Sequence, residues 1–127
     1  MMTTLDQLGK QKAVLLETRK RDGTWVGTPV SIVIVDGRAY FRSYDAAGKS
    51  KRLRNFPEVK VAPSTMRGKP TGAFVAGTAR LLDDDESARV RAAFAAKYPL
   101  LQGWLVPTAH RLKGWKTLHY ELTLEPR

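Results

Sequence analysis

The sequence predicts one domain over residues 1–127, mainly β, arranged as a six-stranded antiparallel barrel with two or three short helices. Asp-Gly pairs at 22–23 and 36–37 each separate apolar, strand-like segments, which is a strong hairpin signal. The segment 116–126 alternates apolar and polar side chains with the period of a strand. Closing these strands into a barrel would remove exposed sheet edges.

The strands are predicted, in chain order, over 13–19, 25–35, 38–43, 58–64, 73–82 and 116–126. Two tight turns make the first three a meander. A basic helix follows, beginning at Gly48 and ending before Pro57, since the residue before a proline avoids helical geometry. Another helix is predicted over 85–97, where carboxylates at 83–85 suit the first turn. Its apolar stripe consists of Val90, Phe94 and Tyr98.

The composition limits the chemistry that this chain can perform. With no cysteine it has no disulfide and no thiolate metal site, which fits a reducing compartment. His110 and His119 are far apart in sequence, so no metal site is expected. No apolar run is long enough to span a bilayer, and no leader is recognisable, so a cytoplasmic location without membrane contact is expected.

Positive charge is the unusual property of this chain. It has 22 Lys and Arg against 12 Asp and Glu, a net charge of +10. Residues 49–69 hold many of these cations with one acid, Glu58, and a second cluster occupies 19–21. A field of this sign attracts an anionic partner, such as nucleic acid, a phosphorylated cofactor or a polyacidic tail.

The start of the basic helix predicts a phosphate site. Free backbone N–H groups and the helix dipole favour an anion there. Gly48 leaves the backbone there open, the Ser50 hydroxyl adds a hydrogen-bonding group, and full charges are added by Lys49, Lys51 and Arg52. The Gly-Lys-Ser run is a near-miss to a nucleoside-triphosphate loop, but that loop needs a parallel sheet, which two tight hairpins do not supply.

Pro29 lies within the longest predicted strand, where it cannot donate a ladder hydrogen bond. It could mark a bulge or an edge strand. It could also leave the backbone of Thr28, Val30 and Ser31 free to bond a flat heterocycle. A different alternative is a single-strand nucleic-acid platform, built from basic residues with Tyr40, Phe41 and Tyr44.

Three stretches, 22–37, 40–72 and 77–82, carry a resemblance to a known family. Their order resembles the pyridoxamine 5′-phosphate oxidase-like family. More narrowly, it is similar to short members that use the deazaflavin coenzyme F-420 (8-hydroxy-5-deazaflavin). The most specific features are Lys49, eight residues before Pro57, and the tripeptide Thr28-Pro29-Val30.

The resemblance implies a split β-barrel like that of FMN-binding proteins, forming a homodimer with a cofactor cleft at each side of the subunit interface. In the family, a lysine at the Lys49 position holds the cofactor phosphate. Neighbouring residues help it, here Gly48, Ser50, Lys51 and Arg52. The preceding strand end contacts the ring and ribityl chain, here Arg42, Ser43 and Tyr44. The segment along the tricyclic ring is here Thr28, Pro29, Val30 and Ser31.

The function so implied is hydride transfer between coenzyme F-420 and a small electron-poor organic substrate. Tyr44, or an ordered water, is a candidate proton donor, and Arg54, Arg67 and Lys69 are further candidate partners for the coenzyme's anions. The alternatives are an FMN-dependent oxidase or reductase of the same fold, and a non-catalytic nucleic-acid-binding barrel. The loop 98–115, with Trp104 and Trp115, is expected at an interface or over the cleft.

Overall fold

A computed structural model describes residues 5–44, 48–98 and 117–125. Seven strands form one antiparallel sheet, accompanied by three helices. The elements are α1 (Leu5–Gly9), β1 (Ala13–Arg19), β2 (Trp25–Val30), β3 (Ile32–Val35), β4 (Arg38–Tyr44), α2 (Gly48–Asn55), β5 (Glu58–Ser64), β6 (Val75–Leu81), α3 (Asp84–Lys97) and β7 (Thr117–Leu124). The mainly-β antiparallel prediction is confirmed, but the predicted count of six strands is wrong.

The extra strand arises at Ser31, where the predicted strand 25–35 divides into β2 and β3. The sheet order is β2-β1-β5-β6-β7-β4-β3, so the two edge strands are consecutive in the chain. The sheet must therefore curl until its edges meet at Ser31. Within the described ranges, β2 pairs with β1 and β3 with β4, but not with each other, which gives a split barrel.

Both Asp-Gly hairpins are confirmed. Asp36 and Gly37 have φ values of 52° and 77°, as a two-residue turn with left-handed central positions requires. In the first turn, the Lys20 N–H donates to the Thr24 carbonyl at 2.8 Å, and Gly23 has a φ of 90°. Both hairpins of the predicted meander therefore exist, but the three-strand meander itself is wrong, because its middle strand divides at Ser31 and β2 and β3 lie at opposite ends of the sheet order.

The predicted helix boundaries are close to those observed. Asp83 is the N-cap of α3: its carboxylate accepts the Glu86 N–H at 2.8 Å, while the Glu86 carboxylate accepts the Asp83 N–H at 3.2 Å. Val90 and Phe94 are buried and Tyr98 is half-buried, so the stripe is confirmed. The short helix α1 was not predicted, and its Leu8 is fully buried.

The core has two parts, on opposite faces of the sheet. The barrel interior contains Val14, Leu16, Val30, Phe41, Val61 and Leu122, with Leu8 of α1 and Leu53 of α2. Outside the sheet, α3 packs Val90 and Phe94 against Val33 of β3. No helix in the described part of the chain is long and apolar enough to cross a membrane. The segment 99–116, which includes His110 and both tryptophans assigned to an interface, lies outside the described residues.

Candidate functional site

A basic groove lies between the β1–β2 turn and α2. Its volume is about 250 Å³. The lining residues are Arg19, Lys20, Arg21, Gly48, Lys51, Arg52, Asn55 and Phe56. Five of these eight residues are cationic and none is acidic. The structure therefore brings together two basic clusters that the sequence showed only as separate runs, which concentrates positive potential at the start of α2.

Buried contacts hold α2 at this position. Ser50 is fully buried, and its Oγ lies 3.1 Å from Oγ of Ser43 on β4. The Ser50 side chain also hydrogen-bonds Tyr120, although burial is the larger influence and raises the pKa of that phenol. Leu53 extends into the barrel core. Ser43 and Ser50 thus anchor the helix within the barrel wall, and a contact of either with a cofactor remains a prediction.

The Arg52 guanidinium is oriented within the groove. Its Nε donates to Oγ1 of Thr18 on β1 at 2.6 Å. A Cβ added to Gly48 would lie 2.8 Å from Nη1 of Arg52, so the absence of a side chain lets the guanidinium cover the first residue of α2. Thr18 is fully buried. It was not identified from the sequence, because it lies in β1, far along the chain from α2. Arg52 is thereby held before any ligand arrives.

Lys49 is half-buried beside this groove rather than lining it. Burial, and then the charge of Arg52, lower the pKa of its ammonium group. Both causes disfavour the charged form, and a nearby anion would counter them. The surroundings of Lys49 therefore suit an anionic ligand, while its contact with a phosphate stays a prediction.

Arg42 lies on the other face of β4 from Ser43, beneath α3. It is 5% exposed, and its guanidinium is 4.6 Å from the Phe94 ring centroid. Burial, and then the charge of Arg91, lower the pKa of Arg42 to about 10. Arg42 is thus separated from the basic groove by the thickness of the sheet.

His119 is the β7 residue opposite Arg42 and is fully buried. Neither ring nitrogen has a hydrogen-bond partner among the described residues. Burial, followed by the charges of Arg42 and Arg91, lowers the pKa of His119 to about 4. The apolar stripe of α3 was the feature of the sequence that pointed to this covered face, because such a stripe must pack against another surface, here the sheet.

The segment Thr28–Ser31 spans the end of β2 and the bend. Pro29 is exposed and belongs to an edge strand, so the edge explanation of this proline is correct. Val30 is buried in the barrel. The Thr28 hydroxyl is also buried and has no hydrogen-bond partner in the described ranges. Leaving such a group unsatisfied costs about 1–3 kcal/mol.

The aromatic nucleic-acid platform is not formed by the residues proposed for it. Phe41 is buried and stacks on Tyr120, with ring centroids 5.0 Å apart. Tyr40 packs against the α3 cluster on the other face. Of Tyr44, the structure describes the backbone, at the end of β4 opposite Thr117. Within 5–44, 48–98 and 117–125, no group of three or more His, Asp or Glu side chains is arranged to hold a metal.

No protein-family model matches this chain, and no curated protein does. Solved structures do. A putative pyridoxamine 5′-phosphate oxidase from Listeria innocua matches with a TM-score of 0.63 and 16% identity, over 94% of this chain and 88% of that one. An FAD-binding protein from Mesorhizobium loti matches with a TM-score of 0.67 and 17% identity, over 98% and 91%.

Two further structures show how widely this fold is used. The heme storage protein HutZ from Vibrio cholerae has a TM-score of 0.71 and 13% identity, over 93% of this chain and 84% of that one. A protein of unknown function from Agrobacterium tumefaciens has a TM-score of 0.74 and 20% identity over 94% of this chain, which spans about half, 51%, of it. At these identities the likeness shows the fold alone: this chain has the split-barrel fold that these structures share.

Proposed function

We propose that this protein is an oxidoreductase that binds the deazaflavin coenzyme F-420 and transfers a hydride between it and a small electron-poor organic molecule. The observation that carries the proposal is the basic groove, with five cations and no acid along its lining. Coenzyme F-420 carries a phosphodiester and several carboxylates, so it offers this groove a matching set of anions.

Two parts of the chain would hold the cofactor. The charged side chains of the groove would bind its anionic part, with the Arg52 guanidinium already oriented by Thr18. The Thr28–Ser31 segment would lie along the ring. When bound, the cofactor supplies the hydride chemistry, and the protein supplies position and exclusion of water. Tyr44 remains the proposed proton donor.

FMN is the second candidate cofactor, because a protein of the same fold binds FAD, a flavin. FMN has a phosphate that the groove could also bind, but it lacks the carboxylates that would pair with the remaining cations of the groove. A homodimer with the cofactor between subunits also remains a proposal. Heme is a third ligand to test, since a heme storage protein shares the fold.

Titration of the purified protein with F-420, FMN, FAD and hemin, followed by tryptophan fluorescence, tests the proposal. We expect the tightest binding for F-420. The variant Lys51→Glu reverses a groove charge and should weaken that binding about tenfold, equivalent to about 1.4 kcal/mol. Lys10→Glu makes the same charge change outside the groove and should bind like the wild type.

Three outcomes of this titration would change the conclusion. Tight FMN binding without a response to F-420 would make this a flavin protein, and selective hemin binding would make it a heme protein. Equal losses in Lys51→Glu and Lys10→Glu would show that net charge, rather than the groove, attracts the cofactor. Turnover is then checked by mixing reduced F-420 with quinones and unsaturated ketones and following its oxidation by absorbance.

A further inference from the structure

The last residues of α3 bond the backbone at the bend between β2 and β3. Lys97 is the final residue of the helix, and its Nζ donates to the Ile32 carbonyl at 2.6 Å and to the Gly9 carbonyl at 2.9 Å. Tyr98 follows it, and its hydroxyl lies 2.7 Å from the Lys12 carbonyl and 3.1 Å from that of Ile32. The Ile32 N–H donates to the same hydroxyl at 3.4 Å.

These contacts satisfy the backbone groups of Ile32 where β2 and β3 part. In a continuous strand, a neighbouring strand would take them, and an unpaired buried N–H or C=O is costly. Here the partners are side chains 65 and 66 positions later in the chain. The direction of the bend is therefore fixed by α3.

We propose that Lys97 and Tyr98 are positioning residues for the cofactor ring, because they fix the bend that aims the Thr28–Ser31 segment. This inference rests on the proposed function, since that segment is where the ring would lie. The bend is one residue from Val30 and begins at Ser31, so a rotation at Ile32 changes the direction of the segment directly. The Thr28 hydroxyl would move with it.

The two groups act together. A single phenol proton cannot serve two carbonyls at once, so the hydroxyl donates to Lys12, its closer carbonyl, and accepts from Ile32. The Lys97 ammonium then serves the Ile32 carbonyl. The Tyr98 backbone N–H bonds the Phe94 carbonyl at 2.9 Å, which fixes the phenol relative to the helix. Moving α3 would therefore move the bend.

The test compares Tyr98→Phe and Lys97→Met with two controls. Tyr40→Phe makes the same hydroxyl deletion at another half-buried tyrosine on the α3 side of the sheet. Val90→Ala loosens the packing of α3 without touching the bend. We expect Tyr98→Phe to weaken F-420 or FMN binding about three- to tenfold and to shift the absorption maximum of the bound ring, with inorganic pyrophosphate affinity unchanged. Exchange of the amide hydrogens of Thr28 and of residues 30–32 should accelerate in both Tyr98→Phe and Lys97→Met.

The outcomes separate the two proposals. If the wild-type protein binds neither F-420 nor FMN, the proposed function fails, and the positioning role fails with it. The second outcome concerns a wild type that binds the cofactor. If Val90→Ala and Tyr98→Phe lower the melting temperature equally and also weaken cofactor binding equally, the role of Tyr98 is only structural and the inference is overturned. An unshifted spectrum with faster exchange would overturn it too.

Discussion

Acid should destabilise this protein through His119. A base whose pKa is lowered by folding binds its proton more readily in the unfolded chain, so stability is lost as pH falls. The window runs from the ordinary histidine pKa of 6.5, which applies to the unfolded chain, down to the folded pKa of about 4, and below it both states are protonated. A pKa lowered by one is equivalent to about 1.4 kcal/mol, so the lowered pKa of His119 corresponds to a loss of about 3 kcal/mol in the free energy of unfolding across this window.

The assay is urea unfolding at several pH values between 7 and 4, comparing the wild type with His119→Leu. The variant lacks the titrating ring, so its free energy of unfolding should fall about 3 kcal/mol less across this range. Val90→Ala alters the packing of α3 against the sheet and keeps the histidine. Its free energy of unfolding should therefore change with pH as that of the wild type does. Equal slopes in the wild type and His119→Leu would refute the reasoning.

Three further predictions test other parts of the structure. Gly77→Ala should lower the melting temperature clearly, because its Cβ would lie 2.6 Å from the backbone oxygen of Thr123; thermal unfolding that matches the wild type would contradict this. Asp83→Ala removes the α3 N-cap and should cost about 1 kcal/mol in urea unfolding, whereas Asp84→Ala retains the cap and should cost less. Because the pKa of Lys49 is lowered, cofactor affinity should decline with rising pH before an ordinary lysine would lose its charge, and Lys49→Ala should remove that decline in a pH series of fluorescence titrations.

The local elements could be predicted because their causes are local. The Asp36-Gly37 pair determines a two-residue hairpin by itself, and Asp83 caps α3 through atoms three residues away. Pro57 ends the basic helix through its own geometry. For such elements, neighbouring residues hold most of the information, so their boundaries in the sequence and in the structure nearly coincide.

The features that escaped prediction depend on contacts distant in sequence. The backbone groups of Ile32, beside the division at Ser31, bond Lys97 and Tyr98, which the chain brings back only after five further elements. The orientation of Arg52 depends on Thr18, 34 positions earlier. The resemblance placed Arg42 and Ser43 together at the cofactor, and the sequence did not predict that α3 covers the face of β4 on which Arg42 lies.

The bend at Ser31 has a consequence for insertions. Each hairpin keeps its own register, β1 with β2 through the turn at 20–24 and β3 with β4 through Asp36 and Gly37. An extra residue inside any strand would reverse the facing of every side chain beyond it. An extra residue beside Ser31 would instead change the spacing between two intact hairpins. This position is therefore a natural point at which to lengthen the chain and widen the opening between the ends of the sheet.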